Sequence, residues 1–298
     1  MVEICEVGPR DGLQNEKVIL SVDERVEMIT KLINSGIQFI EAVSFINPKI
    51  IPQMAFAERV MEQVPRRKGV RYAGLVLSSG GMERALASGL DEINVALAAS
   101  NTFNFKNARR STEDSLAEMT PIIYKAKGKK HNVSGVIGTA FGCPFEGSIS
   151  FSYIRFIINT FLENGVDAIT LADTTGMANP KQVFQIVEQF KEHFPRVKLG
   201  LHFHNTRGLG IANVYAGYQA GVRRFDASIG GIGGCPFAPL SVGNVCTEDI
   251  VHMFEQMGET TGIDLDQLIQ IAKWTEGKVE HPLDGYVMKA GPVERTIS

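Results

Sequence analysis

Apolar positions along this chain recur in two alternating rhythms. Short runs rich in β-branched and aromatic residues, EICEVG (3–8), FIEAVSF (39–45), YAGLVL (72–77), EINVALA (92–98), SGVIGTAFG (134–142), AITLAD (168–173), LGLHFH (199–204) and FDASIG (225–230), predict eight strands. Between them apolar residues return every three or four positions, the period of a helix with one buried face. Ser21 and Glu24 are spaced as a capping box ahead of Val26, Ile29, Leu32 and Ile33, and Gly36 marks the stop. Ser111 and Asp114 open a second helix carrying Leu116, Met119 and Ile123 on one face. Asn179 and Pro180 suit the N-cap and first turn of a third, followed by Val183, Val187, Phe190 and Phe194.

Eight strand-then-helix units in roughly 250 residues match the arithmetic of a closed (β/α)8 barrel, the TIM barrel of the α/β class. An open doubly wound sheet uses the same alternation, but GPRDGLQN, not G-x-G-x-x-G, follows the first strand. No Pro-rich linker, like-charge run or low-complexity segment divides the chain, so one catalytic domain is expected over 1–298. Residues from about 260 to 298 form its C-terminal helical extension, with Leu265, Leu268, Ile269 and Ala272 on one helix face and a polar tail. This extension is expected to pack on the barrel or cover its mouth.

Composition narrows the function. With 44% hydrophobic and 21% charged residues and a net charge of −3, the chain offers no global attraction for nucleic acid or an anionic membrane. No apolar run reaches the length of a membrane span, and MVEICEVG leads into a strand without a basic segment, so a cytoplasmic location is expected. Cys5, Cys143, Cys235 and Cys246 lack C-x-x-C spacing, which argues against a disulfide framework or structural zinc site and leaves them as thiols.

The reactive residues gather towards strand C-termini. Arg10 and Asp11 follow strand one, Glu41 and Ser44 lie in strand two, Cys143 follows strand five and Asp173 ends strand six. His202 and His204 end strand seven, and a glycine-rich loop with Cys235 follows strand eight. In a barrel these ends converge on one mouth. Alternation puts His202 and His204 on the same strand face, so they can share a divalent metal with a carboxylate such as Asp11; the plainer alternative is a hydrogen-bonded pair in the core. On ligand type, two imidazoles and a carboxylate suit zinc, manganese or iron(II), and added amide or water oxygens favour magnesium or manganese. Asn244 can supply such an oxygen or simply cap a helix.

The segments VGPRDGLQNE, FIEAVSF, FGCPFEG, LADTTG, LHFHNTRG and GGIGGCPFAP-x-x-x-GN closely resemble the 3-hydroxy-3-methylglutaryl-CoA lyase family, in register from residue 2 to about 276. The resemblance implies Mg²⁺ or Mn²⁺ held by Asp11, His202, His204 and Asn244. It implies that Arg10 binds and polarises substrate oxygens, that Asn107 and Gly234 help bind substrate, and that Cys235 acts from a loop closing over it. Glu41, Asp173 and His202 would serve proton transfer and its hydrogen-bonding network. The implied reaction is retro-Claisen cleavage of 3-hydroxy-3-methylglutaryl-CoA to acetyl-CoA and acetoacetate, by a homodimer or higher homo-oligomer whose partner is an acyl-CoA. A lyase for another 3-hydroxyacyl-CoA, a Claisen-type synthase and a non-catalytic acyl-CoA sensor are the alternatives. Asn205, Thr175 and Pro239-Leu240-Ser241 depart from the family pattern and put the accepted acyl group, not the reaction type, in question.

Overall fold

In the computed structural model, which describes residues 1–234 and 242–293, eight parallel strands close into a barrel in sequence order. The strands are β1 (Glu3–Glu6), β2 (Phe39–Ser44), β3 (Arg71–Leu75), β4 (Glu92–Ala98), β5 (Asn132–Gly138), β6 (Ala168–Asp173), β7 (Lys198–Phe203) and β8 (Arg224–Ala227). Their outward side chains are covered by α1 (Val22–Asn34), α2 (Ala57–Gln63), α3 (Ser79–Leu86), α4 (Asn101–Ala108), α5 (Thr112–Gly128), α6 (Phe151–Glu163), α7 (Pro180–His193), α8 (Gly210–Gln219) and α9 (Thr247–Gln256). Burial on both faces explains why the strands read as nearly continuous apolar runs.

The expected caps form. Ser21 and Glu24 make a reciprocal capping box on α1, and Ser111 and Asn179 accept backbone amides at the starts of α5 and α7. Several strands end earlier than expected, β1 at Glu6 among them. β5 ends at Gly138 because Thr139 takes a positive φ of 53°, and β8 gives way after Ala227 to the short turn Ile229–Gly231.

The N-terminal end of the lumen is plugged. Phe39 lies against two guanidiniums, Arg71 at 4.1 Å and Arg224 at 4.6 Å from its ring centre, and Arg224 Nη2 donates to Glu92 Oε1 at 3.1 Å. Only the C-terminal end is left to build a site, the arrangement typical of barrel enzymes.

The C-terminal extension packs beside that mouth. Helix α10 (Leu265–Val279) contacts α1, α9 and the turn after β8, and a final turn, α11 (Val287–Ala290), follows. Its Lys278 pairs with Glu24 at 2.8 Å, His281 meets Glu16 at 2.7 Å, and the Leu283 side chain seats on Gly230 so closely that any Cβ there would collide with it. Among the described residues no helix is long and apolar enough to cross a membrane.

Candidate active site

The centre of the mouth is built at the end of β7. There the chain returning from the β8 loop zips onto the strand: Asn205 N donates to Gly243 O at 2.9 Å, Val245 N to Phe203 O at 3.1 Å, and His204 bridges to Asn244. His202 and His204 share a face, their ring centres 5.2 Å apart. Asp11 arrives from the π-helical turn Gly8–Gly12 after β1, and ligand atoms of Asp11, His202 and His204 all lie within 4.8 Å of one another. Asn244 Nδ2 donates to Asp11 Oδ2 at 2.9 Å and to Ile232 O at 3.0 Å. Gly233, at φ 113°, lets this happen, since a Cβ would stand 2.5 Å from that nitrogen.

The protonation states suit a cation. Burial alone would raise the Asp11 carboxyl, but Arg10, both imidazoles and the Asn244 bond outweigh it and hold it down to about 2. Burial, reinforced by His202, drops His204 to about 4, so its ring is neutral at pH 7; its Nδ1 faces the Val242 carbonyl at 3.5 Å, leaving Nε2 to the centre. Burial also depresses His202, yet the Asp226 bond and Asp11 charge prevail and raise it. Asn244 Oδ1 is buried and without a hydrogen-bond partner among the described residues. One ionised carboxylate, two imidazole nitrogens and an orphaned amide oxygen fit a divalent cation that accepts mixed oxygen and nitrogen ligands.

Beside this centre Arg10 is clamped. Its Nε donates to Glu41 Oε2 at 2.6 Å, its Nη2 contacts the same oxygen, and its Nη1 donates to Asp11 Oδ1 at 2.6 Å. A register irregularity in β2 follows Glu41, whose pKa is raised by burial against the pull of Arg10 and Asn94. Arg10, Asp11, Glu41, His202, His204 and Asn244 are thus brought together.

The other expected residues have partners of their own. Asp173 is fully buried, and its oxygens accept from Met177 N at 2.8 Å and Ala178 N at 3.0 Å, tying down the loop after β6. Asn107 lies exposed on α4, and the Gly234 carbonyl accepts from Asn15 at 2.7 Å. Ser44 and Cys143 are buried, their side chains accepting from Ile46 N and Phe145 N. Cys235 and Pro239-Leu240-Ser241 lie outside the described residues. Thr175 Oγ1 donates to Gly142 O and Asn205 Oδ1 accepts from Gly210 N, so these two departures from the family pattern serve loop backbone.

Two residues of the site carry no mark in the sequence reading. Asp226 Oδ2 lies 3.3 Å from His202 Nδ1, and Asn94 Nδ2 donates to Glu41 Oε1 at 2.8 Å. The inward period of FDASIG points to the first; no local pattern points to the second.

The HMGL-like family pattern matches residues 1–274. The chain belongs to that family. It is 42% identical to an (R)-citramalyl-CoA lyase of Chloroflexus aurantiacus, covering 98% of this chain and 95% of that one. It is equally identical, 42%, to a hydroxymethylglutaryl-CoA lyase of Bacillus subtilis, over 95% of this chain and 94% of that protein. The solved structure of an HMG-CoA lyase from Acinetobacter baumannii in complex with coenzyme A and 3-methylmalate superposes with a TM-score of 0.95 at 43% identity, covering all of this chain and 97% of that one. HMGL-like membership thus rests on whole-barrel likeness.

Proposed function

We propose that this HMGL-like protein is a divalent-metal-dependent acyl-CoA carbon–carbon lyase that cleaves 3-hydroxy-3-methylglutaryl-CoA to acetyl-CoA and acetoacetate. The observation that carries the reading is the meeting of the Arg10–Glu41 clamp with Asp11, His202, His204 and Asn244 at one barrel mouth. In the cleavage a base removes the tertiary hydroxyl proton, the bond between C2 and C3 breaks, and its electron pair passes into the thioester as an enolate, which is then protonated at carbon. Asp11, His202, His204 and Asn244 would hold Mg²⁺ or Mn²⁺, which supplies Lewis-acid stabilisation of hydroxyl and carboxylate oxygens when bound. Arg10 presents a fixed cation where enolate charge develops, so no reorganisation is needed at the moment of reaction. Asp226 occupies His202 Nδ1, which fixes the tautomer of that ring and leaves Nε2, facing Asp11, as its ligand nitrogen. Cys235 completes the proton transfers at the enolate carbon, Asp173 fixes the neighbouring loop, and Asn107 and Gly234 contact the thioester.

A second reading, favoured by the likeness to the citramalyl-CoA lyase, is the same chemistry on a substrate one methylene shorter, yielding pyruvate instead of acetoacetate. Incubating the protein with Mg²⁺ or Mn²⁺ and a panel of 3-hydroxyacyl-CoA thioesters, with the keto acid identified by mass, separates the two. Chelation should abolish turnover and either cation restore it. Full turnover by a preparation proven metal-free, or no cleavage of any thioester, would defeat the proposal. A cytoplasmic homodimer or higher homo-oligomer belongs to the same reading, and light scattering of the purified chain checks the stoichiometry.

A further inference from the structure

We propose that Asn94 is a positioning residue for the reaction, holding Glu41 so that Glu41 can hold Arg10. The inference rests on the role given to Arg10 above. Asn94 points inward from β4, and Glu41 from β2. Between them lies β3, where Glu41 is in register with Ala73 and Asn94 with Leu75, so the amide reaches the carboxylate across the intervening strand and two residues out of register. Glu41 therefore has a different task for each oxygen: Oε1 accepts from Asn94 at 2.8 Å, while Oε2 receives Arg10 Nε at 2.6 Å.

Without the first bond the carboxylate is free to pivot about its last torsion, and the guanidinium loses the fixed plane it pairs with. The residue type fits this task. An aspartate would set a second negative charge against Glu41, and a hydrophobe would leave Oε1 buried without a donor. Asn94 performs it at a cost to itself, because its own Oδ1 is buried and unpartnered among the described residues. A residue chosen for packing alone would not carry that penalty.

The test uses Asn94→Ala and, to keep the lumen filled, Asn94→Leu. Each should lower kcat about 10- to 100-fold, the effect of losing a hydrogen bond to a charged group, with KM within about twofold and Mn²⁺ affinity by calorimetry unchanged. In a Glu41→Gln background Asn94→Ala should add less than about a further twofold, because the two residues act in series. Independent multiplicative losses, wild-type turnover or an equal loss of Mn²⁺ affinity would overturn the proposal. A crystal structure of either variant gives a readout that does not depend on turnover: Glu41 and Arg10 should leave their present positions, and their staying in place refutes the role. If Arg10→Lys and Glu41→Gln both keep full activity, it is the assigned function of the clamp that fails.

Discussion

Asp226 and His202 are register partners on β8 and β7, and the carboxylate lies 3.3 Å from the Nδ1 of the ring. A carboxylate behind a ligating histidine fixes its tautomer and raises its basicity, so Asp226→Asn should weaken Mn²⁺ binding by about 10- to 100-fold with the fold intact. Calorimetry alongside circular dichroism measures both. Unchanged affinity would mean that His202 is oriented by packing alone.

Arg10 bridges two carboxylates with a planar fork, and a lysine at that position offers one point charge. Arg10→Lys should reduce turnover by about 10²–10³, roughly 2.7–4 kcal/mol, with a much smaller change in KM. A turnover number equal to that of the parent would make the residue structural.

The pH dependence of stability should come in part from Glu248. Burial, and then Asp249, push its carboxyl from 4.5 up to about 8, and burial pushes Glu6 up to about 7. The folded chain keeps protons that the unfolded chain releases, so their stabilisation is complete below about pH 4.5 and is lost as pH rises through 7 to 8. Each group sets a limit of about 1.4 kcal/mol per pH unit across its window. Glu248→Gln retains an acceptor for Gly230 N and cannot titrate, so its Tm should fall less steeply than the parent's between about pH 4.5 and 8. Parallel curves would assign the slope elsewhere.

Cys235→Ala should cut turnover by about 10²–10⁴, the range for a positioned acid or base, while Mn²⁺ affinity holds. Cys5, Cys143 and Cys246 are buried free thiols and should tolerate the same change better. Alkylation offers a second route: a substrate analogue should protect Cys235, and activity surviving its full modification would remove it from the mechanism.

The barrel was legible because its strands are buried on both faces and read as short apolar runs. Helix α4 was not, since NTFNFKNA lacks a one-sided period and is held by Ser100 accepting from Phe103 N. The overrun of β5 has a similar cause: TAFG is as apolar as the strand before it, and the turn is made by backbone at Thr139. Within the site, Asp11, His202 and His204 announce themselves by residue type and strand-end position. Asp226 and Asn94 have meaning only through partners on other strands, His202 and Glu41, and strand register, not local sequence, creates those pairs.

The plug of Arg71, Phe39, Arg224 and Glu92 leaves substrate and products one way in and out, the C-terminal mouth. In the proposed cleavage the fragment carrying the carboxylate forms against the histidines and the metal they would hold. With one doorway, a keto acid that lingers against the histidines stands in the way of the next thioester, so the keto acid alone should inhibit.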